Sequence, residues 1–569
     1  MSITTAIKSI QDIMRKDVGV DGDAQRIGQL VWMLFLKVFD DRELEWEMLN
    51  DDYRSPLPEP YRWRSWAADA EGMTGDELMS FIDNELFPAL QNLGLDGAAT
   101  VPPVAHVVRS VFEDAYNYMK SGQLLRQVLN KIQESVDINK AQERHAFGDM
   151  YEQLLRDLQS AGNAGEFYTP RPVTEFMVRM VDPKLDEKVM DPACGTGGFL
   201  TCAIEHKRKH YVQTPEDART LQASIFGVEK KPLPHLLATT NMILHGIEVP
   251  SQIRHDNTLA RPLISWGPGE RVDCIVANPP FGGMEEDGIE TNFPAAFQTR
   301  ETADLFLVLI MHLLKDGGRA AVVLPDGFLF GEGIKSRIKE KLLTECDLHT
   351  VVRLPNGVFS PYTGIKTNLL FFTKGRPTRQ TWFYEHPYPD GVKNYSRTRP
   401  LRLEEFQAEQ DWWGDEAKGF ATRVENQYAW KVDFGQLIPE ARAAAQPYWS
   451  DAERFDGRAA ALERELRELR RLLTKGESDS QGVPVTRNRI DTLQAEASDL
   501  RQQARTAQAA GDQRYWPVFN LDRKNPHVGE QVSHDPEVLL AEYRQMQAEI
   551  AELQGQLKAA LSDALERGK

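Results

Sequence analysis

The sequence predicts an α/β fold, with a mainly parallel sheet in the middle of the chain and a helical region on either side. Three observations lead there. From about residue 185, short apolar runs (EKVMD, SIFGVE, VDCIVAN, RAAVVLP, HTVVRLP, TNLLFFTK) alternate with helical segments, as strands joined by crossover helices do. A glycine-rich turn, MDPACGTGGFL at 190–200, follows the first of these runs and opens a helix. On both flanks the apolar residues recur at helical spacing.

In chain order, residues 1–160 read as a helical domain. Ile27, Leu30, Val31, Leu34 and Val38 recur at helical spacing, and LLRQVLNKIQ and FGDMYEQLLRDLQ repeat the pattern. No apolar run is longer than the stripe Leu30 to Leu36, which is far short of the roughly 20 residues that cross a bilayer, so it predicts a buried helix. Residues 161–440 hold the strand-helix alternation, although 375–450, rich in Trp, Tyr and Pro, shows no clear period. Residues 441–569 form the third region, with helical patterning after Ser450 and three seams. The first is Leu462, Leu466, Leu469 and Leu473; the second is Ile490, Leu493, Ala497, Leu500 and Ala504; the third runs from Leu539 to Ala564.

Composition sets outer limits. At 569 residues the chain is too long for one core, and 41% hydrophobic with 27% charged residues is the balance of a folded protein. Four cysteines without a CxxC pair give neither a zinc framework nor a disulfide scaffold, which fits a reducing, cytoplasmic setting. The start, MSITTAIKSIQDIMRKD, lacks the features of a signal peptide, and the expectation is a protein neither exported nor inserted in a membrane. With a net charge of -18, the chain either avoids nucleic acid or binds it through local patches and a more basic partner.

The marked motifs fall at the carboxyl ends of the predicted strands, where ligands of such sheets bind. In MDPACGTGGFL, Gly195, Gly197 and Gly198 allow a tight turn and close approach of the backbone to a ligand. It is not the dinucleotide fingerprint, which would need glycine at position 200, where Leu stands. Glu229, at the end of the next strand, is placed to accept hydrogen bonds from two ribose hydroxyls. Asp256 occupies the same relative position one unit later and could accept from an adenine amino group. Taken alone, Glu229 reads better as an exposed strand-end charge and Asp256 as a turn or helix-cap aspartate. DCIVANPPFGG, residues 273–283, ends an apolar strand in Asn278, Pro279, Pro280 and Phe281. The Asn278 amide oxygen and the Pro279 carbonyl, aimed by the rigid turn, are two side-by-side acceptors for a planar NH2 group, and Phe281 can stack on the ring that carries it. The tetrapeptide alone is equally a strand-ending turn; the glycine loop, Glu229 and Asp256 preceding it in order argue for function.

GEFYTPRPV, DPACGTGGFL, NPPFGG and ADLFLVLIMHLLKDGGRAAVVLPDGFLFG together resemble the adenine-specific DNA methyltransferase subunit of type I restriction-modification systems, over about residues 5–440 and more loosely in the tail. The resemblance implies a Rossmann-like, seven-stranded S-adenosylmethionine-dependent methyltransferase domain behind an N-terminal helical domain, with a C-terminal helical or coiled-coil region. By the same resemblance, Tyr168 and Thr169 with the loop Asp191 to Gly197, including Gly195 and Thr196, hold the methionine end of S-adenosylmethionine. Glu229 takes the ribose and Asp256 the adenine of the cofactor, while Asn278, Pro279, Pro280 and Phe281 receive the target base. The target is an adenine flipped out of duplex DNA, and no metal is needed. The partners implied are a specificity subunit that reads the DNA sequence, flanked by two modification subunits, and a restriction or translocase subunit.

Cytosine N4 methylation is chemically near and stays open on NPPF alone. A non-catalytic S-adenosylmethionine-binding scaffold is opposed by the intact Asn278 and Phe281, and protein-glutamine methylation by the long helical flanks. The third seam would leave its apolar face exposed if unpartnered, so the expectation is that 535–565 docks on the specificity subunit while the two earlier seams pack within the chain.

Overall fold

A computed structural model describes residues 3–95, 102–135, 169–360, 363–396, 398–475 and 487–527, with Gln547, Ile550 and Gln554 as isolated positions beyond. The expected helix FGDMYEQLLRDLQ, Tyr168 and nearly all of the third seam lie outside the described residues.

The middle of the chain builds one nine-stranded sheet in the order β3-β2-β1-β4-β5-β7-β6-β8-β9. The strands are β1 (Val189–Asp191), β2 (Ile225–Glu229), β3 (Ile253–His255), β4 (Val272–Ala277), β5 (Leu314–Pro325), β6 (Cys346–Arg353), β7 (Thr367–Lys374), β8 (Gln380–Glu385) and β9 (Ala429–Asp433). The first five run parallel. β7 enters antiparallel between β5 and β6, β8 is parallel to β6, and β9 is antiparallel to β8. Helices cover both faces, so β4 and β7 are buried almost throughout and read as continuous apolar runs. The chain winds outward from β1 through β2 to β3, then returns to the other side of β1 as β4. That reversal leaves a crevice at the carboxyl ends of β1 and β4.

Among the described residues the sheet carries nine strands, two more than the seven that the resemblance implies. β8 and β9 extend the edge beyond β6, and each is short and built on aromatics: Trp382, Phe383 and Tyr384 in one, Trp430 in the other. Packing of those rings, including Phe383 stacked on Trp430 with centroids 5.5 Å apart, holds strands that show no local period.

On the N-terminal side, every residue from Leu30 to Leu36 in the helix Asp23–Leu49 is at most 1% exposed, enclosed by the other helices of this region. The same core takes in Leu236, Leu237, Ile243 and Leu244 from the helix Pro232–Leu244 that follows β2, and Arg42 Nη2 donates to the Ile243 carbonyl at 3.3 Å. Among the described residues no helix is long and apolar enough to cross a membrane.

Beyond the sheet, the helix Phe434–Lys475 begins well before Ser450 and crosses the expected boundary at 440. Pro439 and Pro447 lie inside it, and these residues hide the helix from a reading based on helix-breaking signals. It pairs with the helix Arg487–Tyr515, and the first two seams meet: Leu466 and Leu469 pack on Ile490 and Ala497, with Leu462, Leu473 and Leu493 at the margin. Arg501 ties the pair by bonding Glu463 at 2.9 Å and Asp456 at 2.6 Å. The chain then returns to the sheet, where Tyr515, Phe519 and Leu521 join its core and Asn525 Nδ2 donates to Glu385 at 3.1 Å.

Candidate active site

The β1 side of the crevice is made of backbone turned around carboxylates. Asp191 ends β1 with 1% exposure, and its Oδ1 accepts from the Ala193 N–H at 3.1 Å. Burial pushes the Asp191 carboxyl up to about 8; the Ala193 bond acts the other way, and the nearby Glu229 charge adds to the rise. Gly195 and Gly197 take φ of 53° and 82°, a region open to glycine at little cost. A side chain at Gly197 would meet Met242 Cε at 3.1 Å, whereas one at Gly195 would point into open space. The loop thus packs downward on the helix Pro232–Leu244 and is bare above. Asn241 of that helix donates to the Thr196 carbonyl at 3.2 Å.

Glu229 closes this side. Its Oε2 accepts from Gly195 N at 2.9 Å and its Oε1 from Lys231 N at 2.8 Å. Asp256 is exposed, and its N–H donates to the Glu229 carbonyl at 3.0 Å, which sets the two acidic residues in succession along one rim. Thr258 Oγ1 donates to the Pro192 carbonyl at 2.6 Å and fastens that rim to the glycine loop. A bare glycine cradle bordered by the carboxylates of Glu229 and Asp256 suits a cationic ligand with ribose hydroxyls, the chemistry of S-adenosylmethionine.

On the adjacent strand, Asn278 follows the last residue of β4. Its Nδ2 donates to Thr169 Oγ1 at 2.8 Å, and its Oδ1 is buried without a hydrogen-bond partner. An unmet buried acceptor costs about 1–3 kcal/mol, a penalty that an incoming donor would remove. Phe281 is 6% exposed and meets Phe359 edge-on, with centroids 6.3 Å apart.

The structure brings Asp191, Gly195, Thr196, Gly197, Glu229 and Asp256 together, and Asn278 to Phe281 beside them. Thr169 bonds Asn278 rather than the glycine loop, because the helix Arg171–Val181 starts directly after Pro170 and sets Thr169 against the end of β4. Sequence reasoning missed Asn241, Thr258 and Phe359, which lie in stretches without a recognisable motif.

A doubly wound sheet with a glycine turn and carboxylates at its switch point, and an Asn-Pro-Pro-Phe turn on the neighbouring strand, is the architecture of an amino-group methyltransferase. Family models agree: N-6 DNA Methylase matches residues 142–444 and the HsdM N-terminal domain matches residues 3–132. The chain is 57% identical over 573 residues to the type I restriction enzyme EcoEI methylase subunit of Escherichia coli, covering 100% of this chain and 99% of that one. The EcoKI methylase subunit of Escherichia coli strain K12 is 30% identical over 432 residues, 72% of this chain and 75% of its own. Among solved structures, a modification subunit from Vibrio vulnificus YJ016 shares 45% identity with a TM-score of 0.69, covering 77% of this chain and 93% of that one. A chain from a structure addressing complex assembly and conformational transition of the type I R-M system shares 31% identity with the same TM-score of 0.69 over 99% of both. The chain belongs to the N-6 DNA methylase family as a type I restriction-modification methylase subunit, an S-adenosylmethionine-dependent, adenine-specific DNA methyltransferase. The N-6 assignment selects adenine over the cytosine alternative.

Proposed function

We propose that the reaction runs on Asn278 and the Pro279 carbonyl, which accept the two hydrogens of an adenine N6 amino group rotated out of duplex DNA. One observation carries this reading: the Asn278 nitrogen is committed to Thr169, and its buried oxygen has no partner. Bound S-adenosylmethionine supplies a methyl group activated by its sulfonium. The adenine amino lone pair is delocalised into the ring, so acceptors that hold its hydrogens help localise it and aim it at the crevice over β1. Asn278 orients this group and is too weak a base to take its proton, which is lost to solvent after the N–CH3 bond has formed and the S–CH3 bond has broken with S-adenosylhomocysteine as leaving group. Thr169 acts as a positioning residue for Asn278. Pro279 and Pro280 fix the turn, and Phe281 stacks on the base once its contact with Phe359 opens, offsetting part of the few kcal/mol that flipping costs. Asp191, Gly195, Thr196 and Gly197, with Tyr168, hold the methionine end of the cofactor, Glu229 its ribose and Asp256 its adenine.

The chain divides in this reading into a helical domain to about 160, a catalytic domain to about 440 and, beyond it, a C-terminal helical region for packing and partner docking. It works in the cytoplasm in complex with a specificity subunit, two modification subunits to one, and a restriction or translocase subunit joins them. The seam within 535–565 supplies the docking helix, since the first two seams are occupied by each other. Ending the chain after Ser533 is expected to preserve cofactor binding and abolish recovery of the complex with tagged specificity subunit; a complex that still forms and methylates would refute the docking role. For the reaction itself, DNA treated with the assembled complex and digested to nucleosides is expected to contain N6-methyladenine. N4-methylcytosine in its place would overturn the base assignment.

A further inference from the structure

The chain carries a net charge of -18, yet its DNA has to be held close to the Asn278 turn. β6 and β8 are parallel, with Arg353 opposite Glu385, so the loops that follow them leave the same carboxyl edge of the sheet. The first loop carries Phe359 against Phe281. The second contains GVKNYSRTRPLR, residues 391–402, with four basic residues and no acidic one. The loops meet where Gly357 passes against the Tyr395 carbonyl, an approach with no room for a side chain.

Between them lies a polar cavity of about 360 Å³, lined by Asn356, Ser360, Thr363, Tyr388, Lys393 and Asn394 with two glycines. Among the described residues no carboxylate lines it. Tyr388 donates to the Asn356 carbonyl at 3.0 Å and braces one wall. Lys393 is exposed, and among the described residues it forms no ion pair; the same holds for Arg399, which a bridge between Ser396 and Arg399 places in a tight turn just beyond. Hydroxyl, amide and ammonium donors around a pocket without acids form an anion site, and phosphodiesters are bound by such sets. The nearest anion of that kind is the backbone of the strand whose base enters beside Phe281.

We infer that this cavity binds a DNA phosphate flanking the flipped adenine, with Lys393 as its charge and Arg399 as a neighbouring contact. The inference rests on the base site described above and adds a second handle on the same strand. Phosphate contacts fix register without reading sequence, which suits a subunit whose DNA sequence is read elsewhere.

The test uses the assembled complex and a duplex containing its recognition site. Lys393→Gln is expected to raise the DNA Kd several-fold and to flatten the slope of log K against log salt by about one unit. Arg399→Gln should act in the same direction and Lys393→Arg should restore both values, while S-adenosylmethionine affinity and kcat at saturating DNA stay unchanged. Duplexes with one neutral methylphosphonate, walked across the nucleotides flanking the target, locate the contact. At one position the loss seen with wild type should vanish in Lys393→Gln, because residue and phosphate then act as a coupled pair. Unchanged Kd and slope in Lys393→Gln, or penalties that add at every position, would overturn the phosphate site. Neither readout needs methyl transfer, so a wild-type complex that binds DNA but yields no N6-methyladenine would count against the catalytic reading alone.

Discussion

The two sides of the crevice differ in how their polar groups are satisfied. Along β1 to β3 the turn itself is bonded within the chain: Asp191 by the Ala193 N–H, Glu229 by the N–H groups of Gly195 and Lys231, the Thr196 carbonyl by Asn241 Nδ2 and the Pro192 carbonyl by Thr258, and beneath it the Asn241 Oδ1 is buried without a partner. At the end of β4 the Asn278 amide is bonded on its nitrogen and bare on its oxygen. In the proposed reading the cofactor loop and its carboxylates are held in place before anything enters, and the base side keeps the Asn278 acceptor unmet until substrate arrives. Fixing orientation in advance on one side and leaving a site for a particular donor on the other is how a site selects an amino group held at a fixed angle.

Substitutions can break this contrast, and the largest effect is expected at Asn278. Asn278→Ala removes the unmet acceptor and should cut kcat by about 10²–10³-fold or more, the scale of losing an oriented hydrogen-bonding group at the reacting centre. Phe281→Ala should lower kcat/KM by about 10-fold, since stacking of a base on an aromatic ring contributes about 1–3 kcal/mol. The loss should fall on productive capture of DNA, and steady-state kinetics at varied DNA concentration will show whether it does. Thr169→Val frees the Asn278 amide to turn and should cost a few-fold in kcat, about the worth of one hydrogen bond, with Thr169→Ser restoring the rate. If Thr169→Val instead weakens S-adenosylmethionine binding with kcat intact, Thr169 belongs to the cofactor side.

The smallest effect sharpens the cofactor side through pH. Asp191 has its folded-state carboxyl raised from 3.8 to about 8, so between those values the native chain keeps a proton that the unfolded chain has released. Stability from this group is full below pH 3.8 and is lost progressively as pH rises to about 8. Asp191→Asn, which keeps an acceptor for the Ala193 N–H, removes that slope. Thermal unfolding of the cofactor-free proteins should show the variant gaining on wild type from about pH 5 to about pH 8, and a constant difference would show that Asp191 is ionised in the native state.

The sheet was legible where burial on both faces forces continuous apolar runs, as in β4, β5 and β7. It was not legible in β8 and β9, whose rings find their partners across irregular chain, or in the first turns of the helix Phe434–Lys475, where two prolines speak against helix. The site divides similarly. Glycines and carboxylates at strand ends could be read because backbone geometry demands those residue types at those places. The Thr169 to Asn278 bond spans 109 residues, and Phe359 meets Phe281 from another loop, so only the folded chain brings either pair together.

The most direct test of the proposed separation between a preformed cofactor loop and a base site with an unmet acceptor is calorimetric titration of S-adenosylmethionine into wild type, Asn278→Ala and Glu229→Ala, with tritiated methyl transfer to DNA measured on the same preparations. Asn278→Ala is expected to bind the cofactor as wild type does and transfer almost nothing, while Glu229→Ala loses cofactor affinity by about 10-fold or more, the worth of hydrogen bonds to a charged group. Loss of cofactor binding in Asn278→Ala, or wild-type affinity in Glu229→Ala, would contradict the division.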